Sequence, residues 1–359
     1  MTTIQQPVAN GRFLFADGLR GLAALWVVLF HMEEGKHIPF ILQALPDWLD
    51  RVLFSYGHLG VPIFLVLSGY VMAWTARKTY MHYKSAALFL MRRLSRLSPP
   101  YYFSLMFAIL FLALKAFQIK NTGILPSISS IVAHMFYVEA LFDFKYINSV
   151  YWTLWIEIQF YLFFVVVLLL IDCVQTRKTI FPDKRYDVFF ALGIVSLLWP
   201  AHVLTHAFWP MGFAQFWYCF SAGVMVSWAM AYPSPRRDYL SLGFLGLVLL
   251  IGCLRQDLFV MITGITGLLL FVAGKYHYMD KWLSWSWIQF LGMISYSLYL
   301  LHNPLTGATA NILRKVFSPG LLTDIVVFIS TLSISIVVAW VAYKLIELPS
   351  IRLSHRFKS

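Results

Sequence analysis

The stretch DGLRGLAALWVVLFH, residues 17–31, carries Arg20 and His31 eleven residues apart inside an apolar run. A guanidinium grips carboxylates and phosphates through a planar fork of donors. An imidazole exchanges protons near neutral pH. On a helix, eleven residues bring a side chain back to within about 20° of its start, about 16 Å further along the axis. Asp17 stands one turn before Arg20 on the same stripe. One helix face could therefore hold an anion at one end and move a proton at the other. The plainer alternative has Arg20 snorkelling to the headgroups with Asp17 as its partner, and His31 at the far interface. An ionisable residue within a membrane helix is nevertheless a functional candidate by default.

The same chemistry recurs along the chain. RRLSR supplies Arg92, Arg93 and Arg96 just before an apolar run. Such a cluster suits a polyanion, and equally suits orientation of the chain in the membrane. Glu157 falls inside another apolar stretch, where a carboxylate costs about 2.5–3.5 kcal/mol unless paired or hydrated. His58 and His302 fall at the ends of apolar runs. A His/Glu cluster would do general-base chemistry, with His31 as the base and Glu157 orienting it or stabilising its charged form. HExxH, CxxC, P-loop, GxGxxG and GxSxG motifs do not occur, so nothing calls for a metal or a dinucleotide. The three cysteines, Cys173, Cys219 and Cys253, lie in or beside apolar runs and are expected to pack, not to pair.

The elements that position these residues follow from composition. The 359 residues are 60% hydrophobic and only 12% charged, against about 25% charged in a soluble domain. The expectation is an all-α fold, a polytopic membrane helical bundle forming a single domain over 1–359. Ten spans are expected near 13–33, 57–76, 100–118, 150–171, 187–205, 212–231, 239–254, 258–274, 286–306 and 321–346. The stretch 128–142 is short, is broken by His134 and Glu139, and is expected to be interfacial or re-entrant. With both termini in the cytoplasm, nineteen basic residues fall inside and eight outside, as the positive-inside rule requires. This bias accounts for much of the +12 charge without nucleic acid. No cleavable signal peptide is evident, so the first helix is expected to remain. The topology sets the arginines on the cytoplasmic side and puts His31, His58, Glu157 and His302 at comparable depth in the outer half.

Six segments, in order, resemble the acyltransferase-3 family of integral membrane acyltransferases over most of the chain. They are DGLRGLAALWVVLFH, GHLGVPIFLVLSGYVM, RRLSRLSPPYY, WTLWIEIQFYLF, LGMISYSLYLLHNPL and YKLIELPSIRL. The resemblance implies transfer of an acyl group, often acetyl, from cytoplasmic acyl-CoA as co-substrate. The acceptor would be a hydroxyl of a surface glycan or its lipid-linked precursor, in a bacterial inner membrane. Partners would be the lipid bilayer, the glycan acceptor and glycan-assembly proteins. By motif match, Arg20 and His31 form the essential pair, Arg93 and Arg96 contact the CoA phosphates, and Glu157 is the matched carboxylate. The fourth segment departs from the usual WTLSVEEQFYL at two positions, with Trp155 for serine and Ile158 for the second glutamate. A single membrane domain is expected to do the work.

Together these features predict a membrane O-acyltransferase with Arg92, Arg93 and Arg96 on the donor phosphates, Arg20 further in, and His31 with Glu157 at the reaction. His31 either takes the acceptor's proton or carries the acyl group. Tyr151 and Trp152 are candidates to stack on sugar faces, or to form an interfacial belt. A secondary transporter would line its pathway with the same charges, but no inverted repeat is evident and the basic cluster is one-sided. A structural partner of a glycan-assembly complex would need no reactive histidine.

Overall fold

The computed structural model describes residues 13–174, 182–204 and 212–357, and within them the secondary structure is helical, without strands. Ten helices carry the architecture. They are α1 (Leu14–Glu34), α2 (Gly60–Ala76), α3 (Tyr83–Ile119), α4 (Tyr151–Cys173), α5 (Pro182–Ser196), α6 (Trp217–Ala231), α7 (Pro235–Arg255), α8 (Leu258–Lys275), α9 (Ser286–Val316) and α10 (Leu321–Ala342). Each expected span falls on one of them. Among the described residues, seven helical segments are long and apolar enough to cross a membrane: α1, Asp47–Ala76, α3, α4, α7, α8 and Leu321–Ser354. α5 and α6 have 15 residues each, short of the about 17 that a span needs. α9 is long but studded with polar residues. The expected span 187–205 begins and ends too late, and position 205 lies outside the described residues, as do Arg12, Arg177, Lys178, Lys358 and both chain ends.

α6 is apolar all round and buried on every side, the pattern of a core helix. It meets α2 backbone to backbone: a Cβ at Gly223 would come within 1.9 Å of the Val66 carbonyl oxygen. Small residues permit such contacts where lipid supplies no hydrophobic drive between helices. The same device joins α1 to α9. A Cβ at Gly21 would sit 2.5 Å from the Gly292 nitrogen, and one at Gly292 would sit 2.3 Å from the Asp17 carbonyl oxygen.

Prolines do the complementary work. A proline inside a helix lacks the N–H that would bind the carbonyl four residues earlier. In α3, Pro100 releases the Arg96 carbonyl, which accepts from Ser350 Oγ at 3.1 Å. In α9, Pro304 releases the Leu300 carbonyl, which accepts from Ser104 Oγ at 2.9 Å and Asn148 Nδ2 at 3.1 Å. The freed oxygens thus lock α3 to the helix Leu348–Ser354, and α9 to α3 and the segment before α4. α3 also corrects an expectation: it begins at Tyr83, so RRLSR lies within the helix and not in a loop before it.

Two further features close the bundle. The chain between α3 and α4 holds a short helix, Ile128–Met135, and two single turns, Thr122–Ile124 and Glu139–Phe142, in keeping with a segment that does not cross. Glu139 there is 1% exposed, and burial pushes its carboxyl up to about 7. At the other end of α4, Asp172 is wholly buried against Arg185 of α5, with Arg185 Nε at 3.2 Å. Asp172 also accepts from the Met81 N–H at 2.7 Å, and Arg185 donates to the Thr79 carbonyl at 2.8 Å. The pair ties α4 and α5 to the α2–α3 connection.

Candidate active site

The polar stripe of α1 meets two separate polar environments. Near its start, Arg20 lines a half-enclosed cavity with Arg93 and Arg96 of α3, Glu157 and Tyr161 of α4, Ser68 of α2, and Glu347. Arg93 is 9% exposed; its guanidinium donates to Thr75 Oγ1 at 3.0 Å and lies over the rings of Phe89 and Tyr161. Glu157 accepts from Ser68 Oγ at 2.9 Å and from the Tyr161 hydroxyl one turn along α4. Glu347 ends a π-helical turn, Tyr343–Glu347, and accepts from Ser297 Oγ at 2.6 Å. Such turns often mark functional sites. Three guanidiniums and two carboxylates thus share one cavity. Each charge would be costly alone in a bilayer; together they leave one net positive charge facing open space, which suits an anion.

Two rings border the cavity. Phe64 of α2 and Tyr299 of α9 both line it, with ring centroids 5.4 Å apart. The Tyr299 hydroxyl is held 2.8 Å from Thr153 Oγ1. His302 is a further neighbour of Tyr299, its ring centroid 6.1 Å away.

His302 and His31 form the second environment. Their ring centroids are 4.8 Å apart, with His302 Nε2 3.2 Å from His31 Nδ1. The offset of 271 residues between them is also the offset between Gly21 and Gly292. α1 and α9 therefore run parallel and in register, and the glycine contact fixes where the histidines meet ten residues later. His31 Nε2 points to Ser149 Oγ at 3.4 Å, with Glu34 Oε2 at 3.7 Å. Asn303 holds Ser149 Oγ at 2.9 Å and Asn148 Oδ1 at 3.2 Å. A hydroxyl arriving where Ser149 Oγ stands would meet an imidazole nitrogen able to take its proton.

The expected site residues divide between these environments. Arg20, Arg93 and Arg96 come together. Arg92 points elsewhere and donates through Nε to the Phe357 carbonyl at 3.0 Å. Glu157 joins the arginines and not His31, because α4 presents it to Ser68 and Tyr161. His302 meets His31, whereas His58 is exposed and bonds the Ser55 carbonyl at 2.8 Å. Tyr151 is wholly buried with its hydroxyl on Ser104, so it offers no face to a sugar; Trp152 packs on Phe216. Sequence reasoning passed over Glu347, Ser149 and Asn303. Glu347 carried a signal, a carboxylate closing an apolar run; Ser149 and Asn303 carried none. Among the described residues no group of three His, Cys, Asp or Glu is placed to hold a metal.

The profile of a family described as an acyltransferase domain matches residues 13–344. A Staphylococcus aureus (strain COL) protein named "Putative O-acetyltransferase" is 26% identical over 372 residues, covering 93% of this chain and 56% of that protein. The peptidoglycan O-acetyltransferase OatA of Listeria monocytogenes serovar 1/2a is 23% identical over 371 residues, covering 93% of this chain and 55% of that protein. This chain thus spans about half the length of these relatives. No solved structure matches it.

Proposed function

The chain belongs to the acyltransferase-3 family, and on that premise we propose that it is a membrane O-acetyltransferase that moves an acetyl group from acyl-CoA to a glycan hydroxyl. The observation that carries this reading is the division of one helix face between a cavity with three arginines, entered by Arg20, and a histidine pair, entered by His31. An extended donor has this polarity: phosphates at one end and a thioester at the other. Arg93 and Arg96 take the phosphates from the cytoplasm and Arg20 follows the chain inward. Glu157 and Glu347 balance the guanidiniums, so that the empty cavity is not prohibitively charged. The thioester passes Phe64 and Tyr299 to reach His31.

His31 Nε2 then takes the proton of the acceptor hydroxyl as its oxygen attacks the thioester carbonyl. The carbon–oxygen bond forms, the carbon–sulfur bond breaks, and His31 returns the proton to the departing thiolate. The names of the relatives favour acetyl as the acyl group and a cell-wall or surface glycan as the acceptor; cytoplasmic termini and an inner-membrane location complete the reading.

General-base catalysis contributes about 10²–10⁴-fold. His31→Ala is therefore expected to lose at least about a hundredfold in acetyl transfer while binding acetyl-CoA as before. Two measurements check this: mass spectrometry of glycan acetyl esters in cells bearing each variant, and acetyl-CoA affinity of the purified proteins. Glycan acetylation at the wild-type level in the His31→Ala cells, or in cells lacking the protein, would refute the proposal.

A further inference from the structure

We propose that His302 is a positioning residue that, together with the Val27 carbonyl, holds His31 in the tautomer and orientation able to act as a base toward the acceptor. The inference rests on the reading of His31 given above. Carbonyl oxygens only accept hydrogen bonds, and this fixes the protons. His302 Nδ1 lies 3.0 Å from the Leu298 carbonyl four residues earlier in α9, so the proton of neutral His302 is on Nδ1 and its Nε2 is an acceptor. His31 Nδ1 lies 2.9 Å from the Val27 carbonyl four residues earlier in α1, so its proton is also on Nδ1. Between them, His31 Nδ1 and His302 Nε2 are 3.2 Å apart: one donor faces one acceptor. Reversing His302 would set two N–H groups against each other.

The remaining nitrogen, His31 Nε2, is left with a bare lone pair aimed at Ser149 Oγ. When Nε2 takes a proton, the Nδ1–H keeps two acceptors, the Val27 carbonyl and His302 Nε2, and nothing has to turn. His302 itself is wholly buried, with its two nitrogens on the Leu298 carbonyl and His31, so it acts through His31 and not on substrate. A ring orienting a catalytic histidine through its second nitrogen is the part that a buried aspartate plays in hydrolytic triads. Here a second imidazole from a parallel helix plays it.

Glutamine and asparagine separate positioning from packing. The oxygen of His302→Gln falls where Nε2 accepts. The amide of His302→Asn preserves the bond to Leu298 but leaves nothing near His31. The chain in nanodiscs is assayed with acetyl-CoA and a soluble glycan oligomer as acceptor, reading free CoA thiol released, with thermal midpoints as the check on folding. His302→Leu and His302→Asn are expected to lose about tenfold or more in kcat with KM for acetyl-CoA within about twofold. His302→Gln is expected to regain most of the loss. Wild-type kcat in His302→Asn, or a His302→Gln as impaired as His302→Asn with an unchanged thermal midpoint, overturns the proposal. His31→Ala in the same assay separates the two readings. If it is inactive while His302→Asn is fully active, the positioning role alone fails; if it is itself active, the role of His31 fails first.

Discussion

Arg92 and Arg93 are neighbours in the chain but face different surroundings, since a helix turns adjacent side chains about 100° apart. Arg92 is spent on the Phe357 carbonyl and Arg93 lines the cavity. Hydrogen bonds to charged groups contribute about 1.5–3 kcal/mol each. Arg93→Ala should therefore weaken acetyl-CoA binding at least about tenfold, and Arg92→Ala should leave it within about twofold. Calorimetric titration of both purified variants decides; equal losses would mean that the cluster acts only as bulk charge. The sequence announced the arginines through their charge, yet it could not rank them, because RRLSR as a loop has no faces and as part of α3 it has. Glu157 is a similar case. Its cost in an apolar helix made it visible, but its partner was fixed by the turn of α4, which points it to Ser68 and Tyr161.

Helices bring the site together through what their side chains lack. Gly21 and Gly292 let α1 and α9 touch, and the shared offset of 271 residues carries that register to His31 and His302. Gly292→Val would force the helices apart at a tightly packed contact, where excess volume costs about 1–3 kcal/mol. The expected result is a lower thermal midpoint and a loss of acetyl transfer larger than the loss of acetyl-CoA binding, because the arginine cavity is built mostly from other helices. Melting curves beside activity and binding measurements test it, and full transfer activity in the folded variant would show that the glycine contact does not set the histidine pair. The positions of the helices were legible, since apolar runs bounded by charge are a strong signal. The glycine register was not, because it depends on which helix lies opposite. Nor was the work of Pro304, whose freed Leu300 carbonyl gains meaning only beside Ser104 and Asn148.

At the scale of the molecule, a single helix tests the orientation. α3 runs from Tyr83 to Ile119 with Lys84 at one end and Lys120 as its left-handed cap at the other. Single cysteines at the two positions should label from opposite sides of sealed vesicles, Lys84→Cys from the cytoplasmic side. Labelling of both from one side would remove the span and the inside–outside order of donor and acceptor with it. The count of spans was the least legible feature because α6 is apolar for a different reason: it is surrounded by protein, and hydropathy cannot distinguish that from lipid. The ring pair Phe64 and Tyr299 matters at this scale too. A membrane under voltage stores about 2.3 kcal/mol for each charge crossing 100 mV. A continuous file of water from the arginine cavity to the histidines would let protons spend that gradient at every turnover. On the proposed route, these two aromatic rings, set edge to face with His302 next to Tyr299, would act as an electrical insulator that still has a doorway for an uncharged acyl group.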